Sequence, residues 1–265
     1  MIRETTVPES FLKCVKHYVK SENATYGEAI SEMYQYMNDA YRNEYFYKNT
    51  IFNQILLKKH SLQDTAALTE LPIADSKADF IMINGKGIVY EIKTGLDNFT
   101  RLKAQIEDYY KVFSLVNVVV SYKQFAKAKE ILDGTSVGIY VLYDNGNILC
   151  RKKAVKNNSS LCYDTMFRVL RKKEFESIII KYFKKLPEVN SFIYYRTCFE
   201  LFQKIDIVKL QKEVMKCLKL RTLLVADSTF KRNIPYELRF YAYFTKENHN
   251  QLTKVEKVWG RRMEE

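Results

Sequence analysis

Apolar positions along the chain repeat with two different periods, and their order predicts a mixed α/β arrangement. Residues 25–58 and 98–113 carry apolar side chains at every third or fourth position, which is typical of helices that pack on a core. Residues 116–121 form a continuous apolar run, which is typical of a strand buried on both faces. The same criteria predict further strands over 66–73, 78–83, 88–94, 137–143 and 147–152, and a helix over 123–132. The first half is therefore predicted to form a mixed sheet with helices packed on it.

The second half of the chain has a different pattern. Of the eight glycines, none lies between Gly146 and Gly260, and the intervening residues are rich in Lys, Leu, Phe and Tyr. Because glycine is a poor helix former, a long stretch without it favours helices. The polar residues 157–160, Asn-Asn-Ser-Ser, are the best candidate for a boundary. We therefore predict a first domain over residues 1–156 and a basic, mainly helical domain over residues 157–265.

The net charge of +12 on these 265 residues comes entirely from the second half. Residues 1–150 contain 17 basic and 18 acidic side chains, whereas residues 151–265 contain 26 basic and 13 acidic ones. A strong field of one sign is typical of a protein that binds a polyanion or an anionic membrane surface, and solubility alone is the alternative explanation. Charge therefore favours a polyanionic partner such as nucleic acid.

Several classes of protein are excluded by the same composition. The longest apolar runs, such as 118–120 and 178–180, are far too short to span a membrane, so no membrane partner is expected. The first ten residues lack the apolar stretch of a signal peptide. The five cysteines form no C-x-x-C pair and the three histidines form no H-E-x-x-H motif, so neither a zinc site nor a disulfide framework is indicated. We expect a cytoplasmic protein with reduced thiols.

Three side chains on the strands predicted over 78–83 and 88–94 have the chemistry of a metal-dependent hydrolase. Glu91 and Lys93 are two residues apart, so they project from the same face of one strand, and Asp79 lies on the strand before it. Carboxylates suit Mg²⁺ or Mn²⁺, which prefer oxygen ligands. A neighbouring ammonium can polarise a water molecule or stabilise a developing oxyanion. An ordinary cross-strand ion pair is the alternative interpretation.

The connection between these two strands decides whether the two acids can meet. A two-residue turn at 84–85 would direct Asp79 away from Glu91. A three-residue loop over 85–87 would instead place Asp79 across from Lys93 and diagonal to Glu91. The apolar pattern agrees with such an odd-membered loop. Five apolar side chains would then share the opposite face: Phe80, Met82, Ile88, Tyr90 and Ile92.

The order of helix, strand, Asp, Glu-x-Lys, helix and strand resembles the core of the PD-(D/E)XK nuclease superfamily. The residues that carry the resemblance are Asp79, Glu91 and Lys93. Asp79 follows Ala78 rather than Pro, at a position that varies in the superfamily. The resemblance covers residues of about 40 to 122 and looks most like a little-characterised bacterial and phage branch. It implies a restriction-endonuclease-like mixed sheet flanked by helices, here with a helical C-terminal extension.

Two residues after the Glu-x-Lys strand resemble the Q-x-x-x-Y motif of the RecB-like branch. Gln105 and Tyr109 are four apart and share one helical face, although Tyr109 alone could be a core aromatic. By resemblance, Gln105 supports the site and Tyr109 contacts nucleic acid. Many members also carry an acid in the first core helix, for which Glu44 is the candidate and Glu70 the alternative. The resemblance thus implies that Asp79, Glu91 and Glu44 bind Mg²⁺ or Mn²⁺ while Lys93 assists the attacking water.

Basic clusters in the second half are predicted to contact phosphates, with the alternative that they are simply solvated surface charges. These predicted contacts are Lys152, Lys153, Arg171, Lys172 and Lys173. The sequence as a whole predicts a metal-dependent nuclease that hydrolyses nucleic acid, with DNA as the expected substrate, in phage defence, restriction or repair. Two alternatives remain open, a catalytically inactive nuclease-fold module that binds nucleic acid or protein, and an RNA-directed nuclease. A homodimer and a protein partner are also left open.

Overall fold

A six-stranded mixed sheet forms the centre of the protein in the computed structural model, which describes residues 13, 17–20, 24–222, 230, 234–244 and 262. The strands lie in sequence order, with β3–β4 and β4–β5 parallel and the other pairs antiparallel. The strands are β1 (Ala66–Ile73), β2 (Ser76–Asn84), β3 (Lys86–Lys93), β4 (Leu115–Ser121), β5 (Gly138–Leu142) and β6 (Ile148–Lys152). The predicted fold class, a mixed sheet flanked by helices with a helical C-terminal extension, is confirmed.

Helices cover both faces of this sheet. Those before and between the strands are α1 (Tyr26–Ala40), α2 (Glu44–Ile51), α3 (Leu102–Tyr110) and α4 (Phe125–Ile131). Those after the sheet are α5 (Tyr163–Val169), α6 (Lys172–Phe183), α7 (Ser191–Phe202), α8 (Ile207–Lys219) and α9 (Arg239–Phe244). Helix α2 continues as a π-helix over Phe52–Leu57, and short 3₁₀ turns cover Tyr122–Gln124 and Tyr236–Leu238.

The two faces of the sheet have separate apolar cores. On one face, Val89, Val118 and Val120 pack with α3 and with the helices that follow the sheet. On the other face, Phe80 and Tyr90 pack with α2, its π-helical continuation and α9. Burial of apolar side chains on both faces explains why β4 is apolar except at Asn117 and Ser121.

The C-terminal helices are integrated with the sheet. Phe167 of α5, Phe202 of α7 and Leu218 of α8 are buried in the same core as Val89 and Val116 of the sheet. The predicted division into two domains, between residues 156 and 157, stays a prediction. Both predicted domains include residues outside the described ones. The first ten residues, Cys14 and His249 also lie outside the described residues, so the expectations about them are unchanged.

The β2–β3 connection confirms the predicted odd number of residues but corrects its length. Asn84 pairs with Lys86, which leaves Gly85 as the single connecting residue, in a left-handed conformation with φ of +64°. Gly87 is a residue of β3, where it pairs with Ile83. A β-carbon at this position would collide with the side chains of Phe113 and Met215. Its small size therefore serves packing rather than the turn.

Two predicted helices differ from the observed ones at their ends. The helix predicted over 98–113 is α3, which begins only at Leu102. Asp97 and Asn98 are of the residue types that cap helices, but neither caps α3. The Asp97 carboxylate instead accepts hydrogen bonds from Thr94. The single helix predicted over 25–58 is interrupted at 41–43, where Asn43 caps α2 through its side chain. This break orients α2 independently of α1.

A segment far along the chain covers α2. The carbonyl oxygen of Tyr236 accepts hydrogen bonds from the side-chain amides of Asn49 and Asn53, at 3.0 and 3.2 Å. The Asn53 side-chain oxygen in turn accepts from the guanidinium of Arg239 at 3.0 Å. These part-buried polar contacts secure α2 and its π-helical continuation against the segment 234–244, and α2 carries part of the candidate site. Among the described residues, none of the helices combines the length and apolarity needed to cross a bilayer.

Candidate active site

Four side chains from β3 and α3 form a hydrogen-bonded chain inside the protein, which we name the inner group: Glu91, Lys93, Gln105 and Tyr109. The Lys93 ammonium donates to Glu91 Oε1 at 2.9 Å and to Gln105 Oε1 at 2.8 Å. The Tyr109 hydroxyl lies 2.6 Å from the other Glu91 oxygen, to which it donates. Glu91 is 1% exposed and Lys93 is 8% exposed, so this is a buried, paired charge.

The observed position of Tyr109 corrects its predicted role. Its ring is completely buried, so it cannot contact nucleic acid as the resemblance implied. Its hydroxyl holds Glu91 and also lies 3.0 Å from the backbone oxygen of Lys77. Burial and the Glu91 carboxylate raise the pKa of Tyr109 above its ordinary value, so it remains a donor. The residue therefore positions Glu91.

Asp79 links the inner group to a second set of acids. The observed register pairs Phe80 with Tyr90, so the next position brings Asp79 opposite Glu91 rather than opposite Lys93 as predicted. An Asp79 side-chain oxygen accepts a hydrogen bond from the backbone amide of Ile92 at 2.7 Å. The side chain thus takes the place of a backbone partner at the end of the β2–β3 ladder.

The second set, which we name the outer cluster, consists of Glu44, Glu70 and Asp79. One carboxylate oxygen from each of the three lies within 4.8 Å of the others. Glu44 comes from the first turn of α2, Glu70 from β1 and Asp79 from β2. Three carboxylates at this separation offer the oxygen donors that a hard divalent cation prefers.

The backbone at Glu70 departs from ordinary strand geometry. Its φ is +57°, in the left-handed region that a residue with a β-carbon rarely adopts. The β1–β2 ladder pairs Thr69 with Phe80 and Leu71 with Ala78, and it skips Glu70 and Asp79. A conformation of this kind costs about 1–3 kcal/mol and persists where the surrounding structure requires it. The departure occurs at the position where β1 contributes to the outer cluster.

Two lysines bind the carboxylates of the outer cluster. Lys48 Nζ contacts Glu44 Oε1 and Glu70 Oε1, and Lys77 Nζ contacts Glu70 Oε2. Lys48 is buried, whereas 59% of the Lys77 side chain is exposed. Burial would lower the pKa of Lys48, but its contacts with Glu44 and Glu70 outweigh burial and raise it. Lys48 therefore stays charged.

Asp79 is the least favourably placed charge of the site. Burial, followed by the nearby Glu91 carboxylate, raises the pKa of Asp79 from its ordinary 3.8 to about 8. The hydrogen bond from the Ile92 amide lowers the pKa of Asp79, but by less than burial and Glu91 raise it. A bound cation would relieve both causes, so the donor set fits a hard metal ion.

The structure brings together all five predicted catalytic residues, Asp79, Glu91, Lys93, Gln105 and Glu44, but in two groups. Glu70, the alternative third acid, joins Glu44 rather than replacing it. Glu91, predicted to be a metal ligand, is bound by Lys93 and Tyr109 and is not one of the three acids of the outer cluster. Its role as a ligand stays a prediction.

The predicted phosphate contacts differ among themselves. Lys153, Arg171, Lys172 and Lys173 are exposed. Lys152 is half-buried, and its ammonium donates to the backbone oxygens of Leu132 at 2.6 Å and Thr135 at 2.8 Å. This ammonium secures the end of α4, and its predicted contact with phosphate stays a prediction.

Lys48 is the site residue that sequence reasoning missed. It follows Glu44 by four positions, a spacing that places the two on one face of a helix. That spacing is a common surface pattern, and nothing local distinguishes a buried Lys48 from a solvated one. The contact with Glu70 links residues 22 positions apart and depends on tertiary structure.

Comparisons with known proteins place the chain in a sequence family but add little structural similarity. The model of the family described as bacteriophage P4 protein cII matches residues 37–235, a range that includes both groups of the site. No curated protein matches the chain. One solved structure, Pyrococcus furiosus SfsA in complex with Ca²⁺, is similar at 16% identity over 39% of this chain, with a TM-score of 0.25. The match spans 59% of the SfsA chain.

Proposed function

The chain belongs to the family of bacteriophage P4 protein cII, and we propose that it is a metal-dependent nuclease of the PD-(D/E)XK type that hydrolyses phosphodiester bonds in nucleic acid. The observation that carries the proposal is the position of Asp79, between the three-carboxylate outer cluster and the buried Glu91–Lys93 pair. Each group alone has an ordinary explanation as an ion-pair network. Their convergence on one desolvated carboxylate is typical of a catalytic centre.

Glu44, Glu70 and Asp79 are the residues that would hold Mg²⁺ or Mn²⁺, with Glu91 as the neighbouring acid. When bound, such an ion lowers the pKa of a coordinated water and neutralises charge on a phosphate. The chain supplies carboxylates from three separate elements, so the site depends on the fold being complete. The exposed side of Glu44 and Glu70 provides the route by which a phosphodiester would approach.

The inner group keeps the reacting groups in position. Tyr109 and Lys93 each engage one oxygen of Glu91, which prevents rotation of the carboxylate. Gln105 holds the Lys93 ammonium from the other side, so its remaining proton can be directed towards the attacking water or the phosphate oxygen. Because the ammonium is charged and already oriented, it stabilises developing negative charge without reorganisation.

Substrate binding is assigned to the basic second half, with DNA as the expected substrate and phage defence, restriction or repair as the expected context. Lys153, Arg171, Lys172 and Lys173 are exposed, and the Lys172 ammonium forms a long ion pair of 3.9 Å with Glu176 and lies 5.2 Å from the ring centroid of Tyr194. Exposed cations of this kind bind phosphates without reading sequence. The near-neutral first half supports this division, because its own net charge of −1 offers a polyanion no attraction.

The test is a cleavage assay on single- and double-stranded DNA and RNA with Mg²⁺, Mn²⁺ or EDTA. We expect metal-dependent cleavage of DNA that is lost in EDTA and falls at least about 100-fold in Asp79→Asn, since the variant loses a ligand charge at the reacting centre. Cleavage of RNA alone would favour the RNA-directed alternative. Binding without cleavage under every condition would favour an inactive module.

Two matched variants control this assay. Like Glu91, Asp75 precedes a lysine by two positions, but it lies outside the outer cluster, so Asp75→Asn should cleave like the wild type. Simultaneous change of Arg171, Lys172 and Lys173 to Gln should weaken cleavage at physiological salt and recover at low salt, because only phosphate attraction is lost. Cleavage that survives Asp79→Asn would reject the site.

A further inference from the structure

Lys48 places a positive charge among the oxygens that would serve a metal ion. The residue is 7% exposed, and its ammonium contacts Glu44 Oε1 and Glu70 Oε1 at the same time. Both acids belong to the outer cluster, where three carboxylates lie within 4.8 Å. A buried lysine that is held by two of three acids in one cluster acts as an internal counter-ion.

An ammonium and a divalent metal ion cannot use these oxygens in the same way. An ammonium lies about 2.7–2.9 Å from the oxygens it binds, whereas Mg²⁺ requires about 2.0–2.1 Å and near-octahedral geometry. The two cations also repel each other strongly in a partly buried site. Metal binding at Glu44 and Glu70 therefore requires the Lys48 ammonium to move away from at least one of them.

We propose that Lys48 competes with the divalent metal ion for the outer cluster and thereby weakens metal binding. The inference rests on the proposed metal site, whose acids it shares. In protein stripped of metal, the Lys48 ammonium balances the charges of Glu44 and Glu70. When metal enters, the four-carbon stem of Lys48 carries the ammonium out of the cluster. The metal affinity of the site is then set by the balance between the two cations.

Lys77 provides a matched comparison inside the same cluster. It also contacts Glu70, through the other carboxylate oxygen, and it carries the same charge. Its side chain is 59% exposed, so water can replace its contact with Glu70 at little cost. Lys48 has no such replacement, because its own side chain is buried. Removal of either lysine changes the net charge equally, but only removal of Lys48 should affect metal binding strongly.

The experiment is calorimetric titration of the full chain with Mn²⁺, together with thermal unfolding in EDTA and in Mn²⁺. We expect Lys48→Met to bind Mn²⁺ at least about tenfold more tightly than the wild type, since a buried cation competitor has been removed. Lys77→Met should stay within about threefold. Lys48→Met should also melt at a lower temperature than the wild type in EDTA. Addition of Mn²⁺ should raise its melting temperature by more than it raises that of the wild type. Lys48→Arg, which keeps the charge, should resemble the wild type.

The outcomes separate this inference from the proposed function. If the wild type binds Mn²⁺ and Lys48→Met binds it equally or less tightly, the inference is overturned but the metal site stands. Binding by Lys48→Met alone would support the competition but contradict a working metal site in the wild type. Absence of binding in every protein would overturn both. Should Lys48→Met fail to fold in EDTA, Lys48→Gln, which keeps hydrogen-bond donors, takes its place. The same tenfold tighter binding of Mn²⁺ is then expected of Lys48→Gln.

Discussion

The inner group and the outer cluster lie side by side but differ in how their charges are paired. In the inner group, the one carboxylate of Glu91 is matched by the Lys93 ammonium, and neighbouring side chains engage both Glu91 oxygens. In the outer cluster, Lys48 and Lys77 pair with Glu44 and Glu70, and Asp79 forms an ion pair with neither lysine. The first group is balanced and buried, whereas the second faces solvent and has an excess of negative charge once Asp79 is ionised.

This difference indicates which group should stabilise the fold and which should bind a cation. A balanced buried pair is costly to break, because removal of one partner leaves the other charged and desolvated. An unbalanced cluster is costly to keep, because its like charges repel, and it gains from an added cation. We therefore expect the inner group to support folding, and the outer cluster to oppose folding until a cation binds.

The largest expected effect is on the inner pair. Lys93→Met should lower the free energy of unfolding by about 3–5 kcal/mol, because Glu91 is left charged without its counter-ion. Urea unfolding in EDTA measures this cost. The control is Lys77→Met, which breaks an exposed pair and should cost less than about 1 kcal/mol. Similar costs for the two variants would contradict the distinction between the groups.

A smaller effect is expected from the hydroxyl that holds Glu91. Tyr109→Phe should lower the free energy of unfolding by about 1.5–3 kcal/mol, the usual range for a hydrogen bond to a charged group. It should also slow cleavage, since Glu91 loses one of its two restraints. Tyr110→Phe is the matched control, because the buried Tyr110 hydroxyl has no partner among the residues that the structure describes. A stability loss in Tyr110→Phe as large as in Tyr109→Phe would contradict the assigned role.

The third expected effect, on Asp79, has the opposite sign. The folded state binds a proton at Asp79 more tightly than the unfolded chain does, so stability falls as pH rises between about 4 and 8. Asp79→Asn should remove this fall, so the stripped variant should be more stable than the wild type above pH 8. Unfolding curves in EDTA across this range measure the difference. An Asp79→Asn protein less stable than the wild type at high pH would show that the outer cluster does not oppose folding.

Much of the fold and part of the site follow from local sequence. The β-strands were predicted with nearly their observed bounds, because alternation and apolar runs depend on neighbouring residues. Glu91 with Lys93, and Gln105 with Tyr109, lie on shared faces for the same reason. The predicted helix ends were less accurate, as α3 shows, because an interaction of Asp97 with Thr94 competed with capping.

The sequence by itself determined the two periodicities, the asymmetry of charge and the pairing of acids with lysines along single elements. Only tertiary structure decided that Glu70 meets Glu44, that Lys48 is buried between them, and that Tyr109 lies inside rather than at a surface. The segment 234–244, which covers α2, was equally beyond local prediction. The physical reason is the same in each case. Periodicity is a property of adjacent residues, whereas the burial of a charge depends on contacts between residues that the chain brings together only when it folds.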